Sequence, residues 1–395
     1  MTAPPADDAI ITDSVAEVAG PAFRPTEAAA AIAIGLSSLL ISGLMSLLLA
    51  ALAEEHRLSA SGIGLAAMLE ALTCAVVTAA CGIALKPVRL RTIAAVAALA
   101  LAAIDLATVQ ASGLGVLLIR GLAGVPEGVL LWISIGFISR TATPERWAAV
   151  LFTGMGLSQL AVASGVSAFV LPRFGANGGY VAVAAGAALA VPIAAFLPSR
   201  LGAVDGSGEV SGAPPPRGWL ALAGTLAMAA SLTAVTIYIV PLAQQAGLGV
   251  GVGRTAVSVG LACQMAGGAL ATVIAGRVRY ITVFWVCATA FTATWGVYLL
   301  HAPAWLFIAM TGLSGVAAYV AAPFLLPMTV EADPSRRATM QSGTVQLLAG
   351  ALGPLLAALS VSDRDLHGVL FLAIFLQGVG LAVATGLHRT HRAAA

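Results

Sequence analysis

The chain has 395 residues, of which 59% are hydrophobic and only 9% are charged. With a mean hydropathy of +0.98, it has too little polar surface for a water-soluble domain, in which about 25% of residues are charged. The formal net charge of +2 gives no indication of nucleic-acid binding. The composition therefore predicts a protein embedded in a lipid bilayer.

Twelve apolar runs are long enough to cross a hydrocarbon core of about 30 Å. In chain order, these predicted spans cover residues 27–53, 60–85, 91–110, 113–139, 146–171, 178–198, 218–246, 253–276, 279–300, 303–328, 337–360 and 366–388. Residues 1–26 form an N-terminal tail before them, and residues 389–395 form a C-terminal tail. The sequence thus predicts an all-α polytopic membrane protein with twelve transmembrane helices.

The longest polar stretch, residues 199–217, separates the sixth span from the seventh. Its Gly, Ser and Pro content cannot bury a core, so it is predicted to link two six-helix bundles, residues 27–198 and 218–388. Pro144 and Pro334, at the entries to the fifth and eleventh spans, lie 190 positions apart, and the first and seventh spans begin 191 positions apart. These similar offsets indicate that the two bundles are pseudo-symmetric repeats.

Lysine and arginine residues are distributed unevenly between the two sides of the predicted membrane. If the N-terminus is cytoplasmic, 14 of them lie in cytoplasmic segments and 4 lie on the opposite side, while Arg120 lies inside a span. Cytoplasmic segments of membrane proteins are enriched in these residues. Both termini and the linker are therefore predicted to be cytoplasmic, in a protein of the cell (inner) membrane.

Arg120 and Glu127 stand in the middle of the fourth span. Their spacing of seven residues is two helical turns, so both side chains leave the same face, about 10 Å apart along the axis. Because a charge that faces lipid is costly, such residues face a protein interior or a water-filled cavity. Glu127 lies near the midplane, where a low dielectric favours the protonated carboxyl. Two interpretations remain open: a proton and substrate pathway in which Arg120 holds an anion, and an ion pair that fixes helix packing.

Two further acids lie in the outer third of their spans, Glu70 in the second and Asp105 in the third. Asp105 is predicted to lie at the membrane interface. Glu70 is predicted either to pair with Arg120 structurally or to join the proton path with Glu127.

Uncharged polar residues in five spans are candidates for solute binding, because amide and hydroxyl groups can orient a solute. For each of them, hydrogen bonding between helices is an equally open interpretation. These candidates are Gln159, Tyr238, Gln264, Tyr319 and Gln346. At the offset of 191, Arg120 and Glu127 correspond to Thr311 and Ala318, so ion chemistry is predicted only in the N-terminal bundle.

The twelve spans in two halves, the long central linker and the short basic turns after the second and eighth spans together resemble the major facilitator superfamily. The turn at residues 82–91 is similar to a degenerate form of the family's Gly-x-Leu-Ala-Asp-Arg-x-Gly-Arg-Arg loop. Gly82, Arg89 and Arg91 are kept, whereas Lys86 stands where the family has an acid. The resemblance implies a major facilitator fold over roughly residues 27–390.

The stretch from Arg120 to Gly128 also resembles the fourth helix of the anion:cation symporter and spinster-like branches of that family. In those branches, the arginine meets the substrate or a partner acid, and the glutamate takes the proton. The resemblance implies these roles for Arg120 and Glu127, with Glu70 as the rival proton carrier. An acid on the first helix, common in those branches, is absent here, and no branch is assigned.

The leading hypothesis is a proton-coupled secondary active transporter, a symporter or antiporter, for a small organic solute; Arg120 favours an organic anion. The alternative is an exporter of lipophilic or amphipathic compounds, which the apolar C-terminal half favours. An enzyme is not expected, because no nucleotide loop, metal cluster or nucleophile–base pair stands in the spans. The expected partners are the solute, protons and the lipid bilayer, without cofactor, metal or nucleic acid, and the protein is expected to be monomeric.

Overall fold

A computed structural model describes residues 23–141, 144–201, 213–274, 276–334 and 337–394. Within these ranges the chain is helical and forms no β-strand. The α-helices are α1 (Pro25–Glu54), α2 (Ala60–Ala84), α3 (Leu90–Thr108), α4 (Leu114–Ile138), α5 (Pro144–Gly165), α6 (Leu171–Ala194), α7 (Pro216–Ile237), α8 (Ile239–Gln245), α9 (Val250–Ile274), α10 (Tyr280–Leu299), α11 (Ala304–Ala321), α12 (Leu325–Ala332), α13 (Arg337–Ser360) and α14 (His367–Ala394).

Helix α2 begins where local chemistry satisfies the free N–H groups of a first helical turn. The Ser59 hydroxyl accepts a hydrogen bond from the Gly62 N–H at 3.1 Å, as an N-cap residue does. Helix α1 starts in a related way, because Pro25 occupies its first turn and the Glu27 carboxylate accepts from the Arg24 N–H at 3.0 Å. These caps place the first two helix starts close to the positions that hydropathy predicts.

The fifth and sixth spans form one continuous apolar stretch, Arg146–Ala194, of 49 residues. At a rise of 1.5 Å per residue a straight helix of that length would extend for about 74 Å, far more than one membrane crossing. A short π-helix, Val166–Val170, joins α5 to α6, and the backbone turns at Gly175, where φ is 59° and ψ is −157°. The stretch therefore crosses twice, and the described residues hold the twelve predicted crossings.

The predicted fold class is confirmed, and most spans agree with the observed helices to within a few residues. Two spans are interrupted: the seventh breaks at Tyr238 between α7 and α8, and the tenth contains a 3₁₀ turn, Ala322–Phe324, between α11 and α12. Proline at position 323 explains the second break, because it cannot donate the backbone hydrogen bond of a helix interior. The N-terminal tail up to residue 22 and the linker residues 202–212 lie outside the described residues.

Two helix pairs pack most closely, α2 with α4 and α9 with α11, and they occupy corresponding places in the two halves. Glycines allow this approach, as is common between membrane helices. A Cβ atom on Gly128 of α4 would lie 2.6 Å from the carbonyl oxygen of Cys74 in α2. Gly315 of α11 lies in the same way directly against the carbonyl oxygen of Gly260 in α9. The second half thus repeats the backbone packing of the first.

The halves meet on the side of the bundle away from the chain termini, which we call the sealed side. There the Tyr238 hydroxyl donates to the Ala60 carbonyl at 2.8 Å and accepts from the Gly64 N–H at 3.2 Å. Asp363 accepts from the Ala60 N–H at 2.7 Å. Arg254 and Glu54 form an ion pair at 3.0 Å. Each of these contacts joins residues before position 201 to residues after position 213.

Towards the opposite, termini side the halves diverge. Near the sealed side, Gly64 of α2 is packed against Pro354 and Ala358 of α13. At the other ends of the same helices, Val76 of α2 and Leu347 of α13 are exposed, with relative exposures of 58% and 40%. The close approach of α2 to α13 thus lies near the sealed side.

Candidate functional site

The Arg120 guanidinium lies at the centre of a buried ionic cluster that three helices build. Its Nε donates to Glu70 Oε2 of α2 at 2.8 Å, and its Nη2 donates to Glu70 Oε1. Its Nη1 donates to Asp105 Oδ1 of α3 at 2.7 Å. The ring of Tyr180 from α6 lies below the guanidinium carbon, 5.4 Å away. Arg120 is 0% exposed. In this conformation two carboxyl groups and an aromatic ring occupy the binding groups of its guanidinium.

Glu127, one α4 turn beyond Gly124, is close enough to Glu70, Arg120 and Asp105 to interact electrostatically with each of them. The cluster therefore contains three buried carboxyl groups and one guanidinium. An unpaired buried charge is very costly, so a dry cluster of this composition is neutral only when two carboxyl groups carry protons. Glu127 Oε1 and Asp105 Oδ2 are buried without a hydrogen-bond partner among the described residues. An oxygen of that kind fits a protonated carboxyl better than a carboxylate.

The prediction that Asp105 lies at the membrane interface is wrong. Its side chain is 0% exposed and forms the second ion pair of Arg120. Nearly every other position of α3 is alanine, leucine or isoleucine, and α3 packs against α4 and α6, which buries the aspartate on the protein side. Of the two roles considered for Glu70, the pairing with Arg120 is observed.

Helix α1 connects the cluster to a cavity between the halves. The Ser38 hydroxyl donates to the backbone carbonyl of Glu127 at 2.8 Å. Ser42, one turn further along α1, accepts from the Gln159 side-chain amide at 2.8 Å and lines the cavity. Residues four apart lie on one helix face, about 6 Å from each other along the axis. A displacement of α4 at Glu127 can therefore be passed to the cavity wall through a single helix.

The cavity has a volume of about 220 Å³ and is lined by both halves. Gln159 of α5 lines it from the first half, and Gln264 of α9 and Tyr319 of α11 line it from the second half. Apolar side chains such as Met45 and Leu261 form much of the remaining wall. Three of the five polar residues selected from the sequence thus meet in one place.

Tyr238 and Gln346 lie elsewhere. Tyr238 is 0% exposed and makes the hydrogen bonds to Ala60 and Gly64 on the sealed side. Gln346 is an exposed residue of α13 and does not line the cavity. Both remain candidates on the basis of the sequence alone. In the structure, the Tyr238 side chain forms a contact between the halves and does not line the cavity.

Sequence reasoning missed Tyr180, which has no charge and stands in a helix of small residues. It also missed a repeat that the fold makes visible: Arg120-Gly-Leu-Ala-Gly-Val125 in α4 corresponds to Thr311-Gly-Leu-Ser-Gly-Val316 in α11, at the offset of 191. In the second half the Thr311 hydroxyl is 2.7 Å from the Tyr298 hydroxyl, in place of an ion pair.

The second half does hold a buried acidic residue, outside its predicted spans. Asp333, at the end of α12, is 1% exposed and accepts a hydrogen bond from the Ala338 N–H at 2.8 Å. It sits at the junction with α13, on the termini side, and its place at a helix start explains why a carboxylate is tolerated there.

No protein-family model matches this chain. No curated protein matches it in sequence either. Solved structures do match it in fold. A variant of the nucleoside transporter NupG is 12% identical, has a TM-score of 0.68, and is matched over 92% of this chain and 99% of its own.

A bacterial homologue of the human lysosomal transporter Spinster matches in two structures. In its inward-facing, unoccupied conformation it is 13% identical, with a TM-score of 0.63 over 93% of this chain and 95% of its own. In its inward-facing, occupied conformation the TM-score is 0.57 at 13% identity, over 93% and 94%. At such low identity the likeness concerns the fold. Together with the twelve crossings and the repeated helix packing, it shows that this integral membrane protein has the fold of the major facilitator superfamily.

Proposed function

We propose that this chain is a proton-coupled secondary transporter that moves a small organic solute across the cell (inner) membrane by alternating access. The observation that carries the proposal is the buried cluster of three carboxyl groups around Arg120, joined through α1 to a cavity that both halves line. A cluster with more acids than bases must take up protons whenever water leaves it. Solute binding in the cavity and proton binding in the cluster then affect the same helices.

Glu127 is the proton carrier in this proposal. Glu70 accepts two hydrogen bonds from Arg120, and its carboxyl group is occupied by this ion pair. Glu127 has an unpartnered oxygen and a backbone carbonyl tied to Ser38 in α1. Ionisation of Glu127 would place a second negative charge near Arg120, and the resulting competition with Asp105 or Glu70 would rearrange the helix contacts. This gives the charged and neutral forms different preferred conformations.

The asymmetry of basic residues supports a cytoplasmic location for both termini. The termini side is then the cytoplasmic side, and the contacts between the halves close the opposite side. The expectation of an anionic solute rested on Arg120, and that side chain is enclosed by Glu70, Asp105 and Tyr180. The cavity of about 220 Å³ is smaller than the 300–1,000 Å³ of typical drug-sized sites. The larger cavity of about 1280 Å³ on the sealed side is lined by charged residues such as Glu54, Arg57 and Asp363, which does not favour lipophilic compounds.

Proteoliposome flux with an imposed pH gradient tests the proposal. Wild-type protein should concentrate solute in response to a proton gradient and not to an equal sodium gradient. Glu127→Gln should still bind solute and exchange it across the membrane, but should lose gradient-driven accumulation by at least about 10-fold, because the amide keeps the shape and cannot release a proton. Glu70→Gln tests the rival carrier. If Glu127→Gln concentrates solute with wild-type pH dependence, Glu127 does not couple the fluxes.

A further inference from the structure

The chemistry of the cavity wall defines what the cavity can bind. Its polar groups are amides and hydroxyls: Ser42, Ser46, Gln159, Thr236, Gln264, Thr311, Ser314 and Tyr319. None of the described residues that line it carries a charge. Arg120, Glu70, Asp105 and Glu127 form the buried cluster, and none of them lines the cavity. The wall can therefore form hydrogen bonds with a solute, but it has no charge that could pair with an ionic solute.

Four of these groups are free to bind. Gln264, Ser314 and Tyr319 are half-buried and Ser46 of α1 is buried, and their side chains have no hydrogen-bond partner among the described residues. By contrast, the amide nitrogen of Gln159 already donates to Ser42 and to the Leu39 carbonyl. A half-buried amide or hydroxyl without a partner gains most from a solute that supplies the missing donor or acceptor. Three of the four free groups belong to α9 and α11, so the second half supplies most of the recognition.

The absence of charge along this wall selects against ionic solutes. A carboxylate or ammonium moved from water into the cavity would lose hydration and meet no opposite charge, which is far more costly than moving a neutral polar group. The apolar part of the wall, including Met45, Met155 and Leu261, suits a solute with an uncharged face between polar edges. A neutral molecule with several hydroxyl or amide groups satisfies both conditions.

We propose that the solute of this transporter is an uncharged polar molecule in the size range from monosaccharide to nucleoside, and that Gln264 and Tyr319 determine its specificity. The inference rests on the proposed function, because it names the substrate class of the same cavity. It differs from the sequence-based expectation of an organic anion bound by Arg120 in the first half. The solute is instead neutral and is recognised by the Gln264 amide and the Tyr319 phenol of the second half.

Binding to the purified full-length protein in detergent, measured by thermal shift and calorimetry, tests the substrate class. The probes are uridine and D-glucose as neutral polyhydroxyl solutes, succinate as an anion, and choline as a cation. We expect at least one neutral probe to raise the melting temperature and the two ions to have no effect. The uridine and glucose results distinguish a solute with an amide-bearing ring from a simple sugar. A shift with succinate or choline, or no shift with either neutral probe, overturns the assignment.

Variants test the two specificity residues. Gln264→Ala and Tyr319→Phe should each weaken binding of the neutral probe by about 10-fold or more, since each removes one hydrogen-bonding group from a half-buried site. The matched control is Gln110→Ala, which removes an exposed amide of the same kind beyond the end of α3, outside the cavity, and should leave the affinity unchanged. Tyr319→Phe removes only one oxygen, so it keeps the test valid if Gln264→Ala fails to fold. Wild-type affinity in both cavity variants overturns the assignment of these residues.

The two proposals fail in different ways. Neutral-solute binding without proton-driven accumulation would contradict the proposed coupling and leave the substrate class in place. Proton-driven accumulation of succinate would leave the coupling in place and overturn the neutral class.

Discussion

Arg120 is held by carboxylates from two other helices, so its charge and theirs depend on each other. Removal of one member of a buried ion pair leaves the partner charge without compensation and typically costs about 3–5 kcal/mol. We therefore expect Arg120→Met to lower the melting temperature strongly. Glu70→Met combined with it should recover part of the loss, because the carboxylate left unpaired is then also gone.

Thermal unfolding of the two single variants and the double variant, combined as a double-mutant cycle, measures the coupling between Arg120 and Glu70. Arg277→Met serves as the control, because Arg277 is exposed and its guanidinium bonds only to the Val273 carbonyl among the described residues. Additive effects of Arg120→Met and Glu70→Met would show that the pair does not stabilise the fold.

At the residue scale, the sequence identified the ionisable residues of the site more reliably than the directions of their side chains. Arg120, Glu127 and Glu70 are identifiable because ionisable groups inside apolar helices are costly and therefore uncommon. The direction of the Asp105 side chain is not identifiable from the sequence, since α3 carries small apolar side chains on all of its faces. No face of the helix therefore stands out as lipid-facing. The same limit applies to Gln346 and Tyr238, whose mid-helix or helix-end positions do not reveal whether a cavity, lipid or the other half is adjacent.

At the scale of single elements, the turn between the fifth and sixth crossings depends on Gly175. Its backbone conformation, φ 59° and ψ −157°, is accessible almost only to glycine. A Cβ atom there would lie 2.5 Å from Glu55 Oε1, which accepts the Ala176 N–H at 2.7 Å and so caps the following helix. Gly175→Ala should therefore destabilise the protein by about 1–3 kcal/mol.

The thermal stability of Gly175→Ala, compared with Gly165→Ala, checks this expectation. Gly165 has helical angles and open space around its Cα, so alanine should be neutral or slightly stabilising there. Equal effects of the two substitutions would mean that the backbone at position 175 is not constrained.

Hydropathy located the twelve crossings because a span of lipid imposes a length of about 20 apolar residues on each helix. It also separated the fifth span from the sixth at residues 172–177, where the backbone turns at Gly175. It did not show the break at Tyr238. That break depends on backbone conformation at one residue, which composition averaged over a span cannot resolve.

At the scale of the whole molecule, orientation in the membrane is the first property to test. The 14-to-4 asymmetry of basic residues predicts a cytoplasmic termini side. After replacement of the four native cysteines, Ala213→Cys near the linker should resist a membrane-impermeant thiol reagent in intact cells, and His301→Cys between α10 and α11 should react. Both positions are exposed, so each becomes reactive once the membrane is permeabilised. The reverse pattern in intact cells would invert the assignment.

Alternating access requires the contacts on the sealed side to break and re-form, and Tyr238 makes two of them. Its hydroxyl bonds the start of α2 in the other half, both as a donor and as an acceptor. Each such hydrogen bond contributes about 0.5–1.5 kcal/mol, which is enough to shift the balance between two conformations that differ by a few kcal/mol. Tyr238→Phe should therefore favour opening on the sealed side, with little effect on folding.

Distances between spin labels measure this shift. With labels at Gln110 and His301 on the sealed side, Tyr238→Phe should lengthen the mean separation; with labels at Ser139 and Arg277 on the termini side, it should shorten it. Tyr280→Phe is the matched control, because Tyr280 is buried and packs on Phe284 and His388 of its own half. Distance distributions that stay at wild-type values in Tyr238→Phe would mean that this hydroxyl does not hold the halves together. The remaining contacts, Arg254 with Glu54 and Asp363 with Ala60, would then be the ones that set the closed conformation.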